Sequence, residues 1–301
     1  MKIINAHVHL IELEAMLERQ PGLKLPGGVA VLSELESTLP LLTPEKLLEQ
    51  MDEAGVDTAF LYAVEAPIVY SSNEYVCSIR DRYPSRFVAF ASVNPLMPDA
   101  VQRFERAVRE HGMKGLKLHP PLQDFFPNDE AVFPVYEKAV ELNIPVVFHV
   151  GTTPFGSLCR LATANPILLD DVAVRFPELR ILLTHLGTLW HNEAFMVVEK
   201  NPNVFVDTAA YINEIETVLT PDIVRRIGVD KIVFGTDYPM PYAGTVHRMS
   251  DFVECMRNLH FSRDELEQVF HANAQRFLNG GEPAPDVSLE QMLARWRKSQ
   301  S

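Results

Sequence analysis

The sequence predicts an α/β fold, a distorted (β/α)8 TIM barrel that occupies residues 1–301 as a single domain, and three observations favour it. Eight short β-rich runs recur along the chain, most of them nearly continuous in apolar residues, as is typical of parallel strands covered on both faces. Amphipathic helical segments separate these runs, and such alternation indicates a parallel sheet. Eight units in 301 residues match the size of a closed barrel.

The predicted strands follow the chain in the order KIINAHV, DTAFLYAV, RFVAFASV, MKGLKL, IPVVFHV, LRILLTHL, NVFVDTA and KIVFGTD. The alternative fold is a doubly wound open sheet, which requires a glycine-rich phosphate-binding turn after the first strand. The segment AHVHLIEL at that position contains no glycine, so the barrel is the better prediction.

Capping residues predict where the intervening helices begin and end. In LTPEKLLEQMDEAG, Thr43 suits the N-cap, Pro44 suits the first helical position and Gly55 suits the end. PDAVQRFERAVREHG repeats this pattern up to Gly112, and ANPILLDDVAVRFP is closed by Pro177.

Two segments depart from the regular alternation. About fifty residues separate the first strand from the second, and IELEAMLERQPGLKLPGGVAVLSELEST is an extra segment there. A long loop after the first strand leaves the carboxyl-terminal rim of a barrel, where a lid would stand. The tail that follows HANAQRFLNGGEPAP is predicted to form a terminal helix packed outside the barrel.

Charge and cysteine content narrow the function classes. A formal net charge of −13 argues against nucleic acid and anionic membrane surfaces as partners. Cys77, Cys159 and Cys255 lie far apart without a CxxC pair, which suits a reducing compartment. With no leader pattern and no long apolar run, the sequence predicts a cytoplasmic protein. The expected partner is a small-molecule substrate.

Polar side chains cluster at the carboxyl ends of the predicted strands. They are His7 and His9 on the first strand, Lys117 and His119 on the fourth, His149 on the fifth, His185 on the sixth and Asp237 on the eighth. Residues two apart on a strand share a face, and active sites of such barrels lie at these strand ends. Imidazole and carboxylate are the ligands that a zinc-like cation prefers, so the pattern predicts a metal site at the barrel mouth.

Each of these signals has a simpler explanation when it is taken alone. A histidine at a strand end is more often only hydrogen-bonded, and Asp237 within FGTDYP could be a turn former. The joint placement favours the metal site, because five of the ten histidines fall at the ends of four predicted strands.

These segments resemble landmarks of the amidohydrolase superfamily, specifically of the amidohydrolase-related branch that includes aminocarboxymuconate-semialdehyde decarboxylase. The matching landmarks are NAHVHL, GLKLHP, VVFHVG, ILLTHLG, NVFVDTA, VFGTDYP and NAQRFL. They run from residue 5 to about residue 278 in the order of that family. Singly each is modest, and together they are specific.

The resemblance implies a distorted barrel with one divalent metal ion per chain, commonly Zn²⁺. The ligands that it implies are His7, His9, His149 and Asp237. His185 matches a histidine that polarises the substrate or shuttles protons. Lys117 lies where two-metal members use a carboxylated lysine as a bridge, so a carboxylated Lys117 would imply two ions. Members of the family are often dimers, which makes a homodimer an expectation.

Three functions remain open at this point. In the first, a metal-activated water attacks an amide, lactone or ester carbonyl, with Asp237 accepting its proton and His185 hydrogen-bonding the carbonyl oxygen. In the second, the metal holds an aromatic or muconate-like acid during non-oxidative decarboxylation. The third is a metal-free barrel that only binds a ligand. The HxH motif serves both enzymatic functions, and hydrolysis follows most directly from a metal, a water and Asp237.

Further residues are candidates for contact with a carboxylate-bearing substrate. Lys117 and His119 could hold its anionic group, although a salt-bridged lysine and a turn histidine before Pro120 are the structural alternatives. Arg160 and Arg248 are candidate carboxylate clamps. The residues that could shape the pocket, or simply pack between loops, are Phe155, Trp190, Tyr238, Met240 and Tyr242.

Overall fold

The computed structural model describes residues 1–22, 37–153, 155–209, 211–241 and 245–281, together with positions 290, 292, 293 and 297. Its central feature is an eight-stranded sheet of parallel strands that neighbour one another in chain order. The barrel strands, from first to eighth, are Ile4–His9, Thr58–Tyr62, Phe87–Ala91, Gly115–Leu118, Val146–Phe148, Ile181–Leu183, Val204–Asp207 and Ile232–Val233. Seven lie within the predicted runs and the first extends one residue beyond its run, to His9. The predicted α/β barrel is confirmed.

The first strand is joined to the segment that follows the eighth strand. The N–H of Asp237 donates to the carbonyl of His7 over 2.9 Å, and the N–H of His9 donates to the carbonyl of Tyr238 over 2.7 Å. This seam brings the two ends of the sheet together, and it places Asp237 beside the two histidines of the HxH motif.

Helices cover the outside and the two ends of the barrel. Their bounds are Leu13–Arg19, Pro44–Ala54, Asn73–Arg82, Ala100–Arg109, Pro120–Gln123, Phe133–Glu141, Leu168–Arg175, His191–Lys200, Ile212–Val218, Pro221–Ile227, Met249–Asn258, Arg263–Glu267 and Asn273–Asn279. The hydroxyl of Thr43 caps its helix by accepting the N–H of Lys46 over 3.2 Å, and Gly55 ends it with a φ of +70°. The predicted boundaries of that helix are confirmed.

A β-bulge in the first strand decides which of its side chains enter the lumen. The register with the second strand shifts between Asn5 and Val8. As a result Ala6 packs in the apolar cluster inside the barrel, Val8 packs outward against the helices, and both His7 and His9 point inward. Without the bulge, alternation would place His7 on the opposite side from Ala6.

The rim beside the first strand is built from two docked segments. The long loop contributes the helix Leu13–Arg19, and a short antiparallel hairpin of Val64–Glu65 and Tyr70–Ser71 follows the second strand. The N–H of Glu12 donates to the carbonyl of Tyr70 over 2.8 Å. Residues 23–36 of the predicted lid lie outside the described residues.

The other end of the barrel is closed by the helix Asn273–Asn279. Its Ala274 and Phe277 pack into the inner apolar cluster with Phe60 and Phe205. Most of the predicted carboxyl-terminal helical tail lies outside the described residues. Within the described part of the chain, no helix has the length and apolar character needed to cross a membrane.

Candidate metal centre

The HxH motif and Asp237 bring three potential ligand atoms together at the barrel mouth. The Nε2 atoms of His7 and His9 lie 3.1 Å apart, and Oδ1 of Asp237 lies 3.1 Å from the first and 3.3 Å from the second. Gly235 allows this approach, because a Cβ at that position would come within 3.0 Å of the Cβ of His7. The sequence prediction that these three side chains converge agrees with the geometry.

Asp207 at the end of the seventh strand orients His7 by contacting the ring nitrogen that faces away from Asp237. Its Oδ2 lies 2.8 Å from Nδ1 of His7, and its Oδ1 accepts the N–H of His185 over 2.7 Å. A carboxylate at Nδ1 fixes the tautomer that presents the lone pair of Nε2 to a metal. Asp207 was not predicted from the sequence, although a carboxylate at the end of NVFVD is a signal of the same kind as the other polar strand ends.

His185 and His149 form a second pair of imidazoles beside the first. Nε2 of His185 lies 3.1 Å from Nδ1 of His149, and its ring centroid is 5.1 Å from that of His7. Within the described residues, groups of three ligand atoms lying within 4.8 Å of one another are formed by His7, His9 and Asp237 and by His7, His185 and Asp207. His149 belongs to neither group, so its role as a metal ligand stays a prediction.

Both candidate catalytic residues have a left-handed backbone. The φ of His185 is +61° and that of Asp237 is +59°, values that non-glycine residues adopt at a cost. The hydroxyl of Thr188 holds the first of these turns by donating to the carbonyl of His185 over 2.8 Å. Strained residues that the surrounding structure holds in place are a feature of functional sites.

Burial sets the protonation of the histidines. It lowers the pKa of His9 to about 4 and holds the pKa values of His119, His149 and His185 well below their usual value. These imidazoles are therefore neutral at pH 7, the form in which histidine binds metals. Nδ1 of His9 and Nδ1 of His185 are also buried without a hydrogen-bond partner among the described residues.

The carboxylates of the site remain ionised despite their burial. Burial alone would raise the pKa of Asp237, but the imidazoles of His7 and His9 hold that pKa well below its usual value. Burial and Lys117 lower the pKa of His7, whereas Asp207 and Asp237 raise it, and the net direction is upward. Neutral imidazoles beside ionised carboxylates form a donor set that fits a divalent cation.

Lys117 is a buried cation on the same side of the barrel. It is 1% exposed, and its Nζ has no hydrogen-bond partner among the described residues. Burial lowers the pKa of Lys117 to about 8, so the ammonium is largely protonated at pH 7. Burying an ammonium without a hydrogen-bond partner is costly, and this property is expected of a group that binds an anionic ligand.

The cluster opens into a cavity of about 460 Å³, including its open mouth. Its lining residues are His7, His9, Ile11, Val64, Val69, Lys117, His119, His149, Thr153, Phe155, Asp237 and Met240. His119 also stacks on His149 with ring centroids 3.9 Å apart, and its Nδ1 accepts the N–H of Leu122 over 3.4 Å.

Three predicted substrate contacts are not among the residues that line this cavity. Arg160 forms an exposed ion pair with Asp124 over 2.6 Å. Trp190 precedes the helix His191–Lys200 and is half-buried, while the hydroxyl of Tyr238 donates to the carbonyl of Leu41 over 2.9 Å. Their roles toward a substrate stay predictions.

Of the remaining residues predicted to shape the pocket or to bind a carboxylate, two line the cavity. Phe155 and Met240 line the cavity. Arg248 pairs with Glu53 over 2.8 Å, and Tyr242 lies outside the described residues. Ile11, Val64, Val69 and Thr153 line the cavity without having been predicted, because they lie on loops and on the hairpin beyond the strand ends.

Comparison with known proteins adds a family match and several named relatives. The family model described as amidohydrolase matches residues 4–280. A gamma-resorcylate decarboxylase from a Polaromonas species is 25% identical over 80% of this chain and 89% of that protein. A 2-keto-4-carboxy-3-hexenedioate hydratase from a Sphingobium species is 26% identical over 71% of this chain and 72% of that protein. The 2-amino-3-carboxymuconate-6-semialdehyde decarboxylase of Dictyostelium discoideum is 23% identical over 78% and 76%.

The barrel also resembles solved structures. One is a 5-carboxyvanillate decarboxylase from Novosphingobium aromaticivorans, described as a complex with manganese and 4-hydroxy-3-methoxy-5-nitrobenzoic acid. Its TM-score is 0.71 at 18% identity, over 92% of this chain and 96% of that one. At this identity the likeness supports the fold.

Proposed function

The chain belongs to the amidohydrolase family, and from this premise we propose that it is a metal-dependent carboxy-lyase that releases carbon dioxide from a small aromatic or muconate-like acid. Decarboxylases among its relatives favour this reaction over the hydrolysis that the residues alone suggested. The expected metal site is retained, and the expected reaction changes from hydrolysis to decarboxylation.

The observation that carries the proposal is the division of the cavity into a charged floor and an apolar wall. Asp237, Lys117 and the imidazoles form the floor, whereas Ile11, Val64, Val69, Phe155 and Met240 form the wall. An organic acid can place its carboxylate near Lys117 and its carbon skeleton against the wall. Apolar surroundings also favour neutral carbon dioxide over the carboxylate from which it forms.

We propose one divalent ion per chain, held by His7, His9 and Asp237, with His149 as the further ligand. When bound, the ion supplies Lewis-acid charge that stabilises negative charge developing on the substrate. The manganese named for the 5-carboxyvanillate decarboxylase favours Mn²⁺ over the expected Zn²⁺. Elemental analysis of the purified protein tests this proposal, and zinc at one ion per chain would contradict the choice of manganese.

The side chains of the site supply proton transfer, positioning and substrate binding. Loss of carbon dioxide breaks one C–C bond and leaves its electron pair on the substrate carbon, which takes up one proton. Asp237 lines the cavity and His185 does not, so we assign the relay of this proton to Asp237. Its ionised carboxylate accepts the proton from solvent and passes it to the carbon. His185 positions His149 across their 3.1 Å contact, and Lys117 binds the anionic group of the substrate.

Assays on the metal-loaded protein test the reaction. Incubation with ¹³C-carboxylate-labelled hydroxybenzoates and muconate-like acids should release labelled carbon dioxide in equal amount to the decarboxylated product. Asp237→Asn should lower this rate by about 10² to 10⁴-fold. Asp222→Asn removes a carboxylate whose side chain is 82% exposed, and it should retain the rate.

Hydrolysis is the second candidate, and the contact of Asp237 with two imidazoles favours it. A carboxylate in that position can accept a proton from water, and one relative is named as a hydratase. Opening of lactones without carbon dioxide release from any acid would establish hydrolysis and reject the carboxy-lyase. Failure of the folded protein to retain any metal would favour the ligand-binding barrel.

A further inference from the structure

The apolar wall leads to an inference about the substrate that rests on the proposed function. We infer that the substrate carries a single carboxylate and presents an uncharged face to the apolar wall. The residues of this wall are Ile11, Val64, Val69, Phe155 and Met240.

The charges of the site match one carboxylate. Lys117 is the one lysine or arginine among the described residues that line the cavity. With a divalent ion bound, the two negative charges of Asp207 and Asp237 equal the charge of the ion, and histidine binds metals in its neutral form. The charge of Lys117 is then left to pair with one carboxylate of the substrate.

Two arginines beside the hairpin pair with Glu65. The carboxylate of Glu65 on the hairpin pairs with Arg103 over 2.8 Å and with Arg19 over 3.8 Å. The hairpin is itself held in place, because the N–H of Val64 donates to the hydroxyl of Ser71 over 3.1 Å. Neither arginine lines the cavity, so a second carboxylate against the wall would find no cation there.

A carboxylate that loses its water against an apolar surface, without a cation, is strongly disfavoured. The wall should therefore reject acids that carry a second carboxylate away from the floor. This would distinguish the chain from three proteins that it resembles, since the names 2-keto-4-carboxy-3-hexenedioate, 2-amino-3-carboxymuconate-6-semialdehyde and 5-carboxyvanillate each describe a substrate with more than one carboxylate. The residues of the wall therefore determine which acids bind, and the residues of the floor carry out the reaction.

Calorimetric binding of inert acids to the metal-loaded protein tests the inference without turnover. Benzoate should bind about 100-fold more tightly than benzene-1,3-dicarboxylate. Val69 and Met240 are both half-buried at the wall, so Val69→Arg and Met240→Lys can each add a cation there. Either variant should reduce the preference for benzoate at least tenfold by strengthening binding of the dicarboxylate.

Two controls separate the effect of charge at the wall from other effects. Val69→Leu changes the size of the wall without charge, and Val174→Arg adds a cation at a side chain that is 60% exposed. Both should keep the preference for benzoate. Equal binding of the two acids by the unmodified protein, binding of neither, or an unchanged preference in both folded cationic variants would overturn the inference. Benzoate selectivity without carbon dioxide release from any acid would instead overturn the proposed function alone.

Discussion

Asp207 determines which nitrogen of His7 faces the candidate metal site. Its Oδ2 lies 2.8 Å from Nδ1 of His7, and both residues are fully buried. Burial alone would raise the pKa of Asp207, but the charge and hydrogen bond of His7 hold the pKa below its usual value. The pair therefore acts as a fixed carboxylate–imidazole unit, in which Asp207 positions His7 without lining the cavity.

Replacing Asp207 by asparagine should weaken metal binding while leaving the barrel folded. The amide side chain would keep one oxygen for the N–H of His185 but would lose the charge that fixes His7. We expect the affinity for Mn²⁺ or Zn²⁺ to fall about 10 to 100-fold, as measured by competition with a chromogenic chelator. The exposed Asp222→Asn variant should keep its affinity. Unchanged affinity in Asp207→Asn would show that the contact with His7 does not act on the metal.

Lys117 predicts a pH dependence for the binding of anionic ligands. Because burial lowers the pKa of this group to about 8, its ammonium is present below that pH and is lost as the pH rises through it. Binding of benzoate should therefore weaken above about pH 8, and a bound cation would move the change to lower pH. Lys117→Arg stays charged and should bind with little change up to about pH 10. A flat profile in the unmodified protein would contradict the assigned role.

At the scale of elements, the rim depends on a carboxylate that ties two segments together. Oε2 of Glu12 accepts the N–H of Ser72 over 3.0 Å and its hydroxyl over 2.7 Å. Because Ile11 and Val69 line the cavity from these two segments, the bond between them fixes part of the apolar wall. Hydrogen bonds to a charged group are worth about 1.5 to 3 kcal/mol.

Glu12→Ala should loosen this part of the rim. We expect hydrogen exchange in residues 11–22 and 64–72 to accelerate at least tenfold, and KM for the substrate to rise more than kcat changes. Glu14→Ala removes an exposed carboxylate from the same helix and should alter neither quantity. Equal exchange rates in the two variants would mean that other contacts hold the rim.

Apolar runs and capping residues in the sequence predicted the strands and helices well, but they did not predict the irregular backbone. Apolar runs located all eight strands, and Thr43 located a helix start to the residue. The bulge that turns His7 into the lumen has no such signal, because it depends on pairing with the second strand. The left-handed backbone of His185 also could not be predicted from the local sequence, because its N–H donates to Asp207 on another strand.

At the scale of the whole molecule, chain closure explains which site residues could be predicted. Barrel geometry brings strand ends to one rim, so His7, Lys117 and Asp237 were predictable from order alone. The apolar wall was not, because Val69 reaches the cavity through a hairpin whose position depends on its docking partners. Arg160 illustrates the converse, since Asp124 holds it in an exposed ion pair.

The candidate metal site also spans the seam where the barrel closes, so metal binding there should stabilise the whole fold. His7 and His9 belong to the first strand, Asp237 follows the eighth, and an ion held by all three ties the ends of the sheet together. An ion at 100 times its Kd stabilises the native state by about 2.7 kcal/mol. Removing it with a chelator should lower the Tm by about 5 °C in scanning calorimetry, and restoring it should reverse the change. His7→Ala should abolish this response, whereas the exposed His260→Ala should preserve it. A full response in His7→Ala would locate the ion elsewhere than the seam.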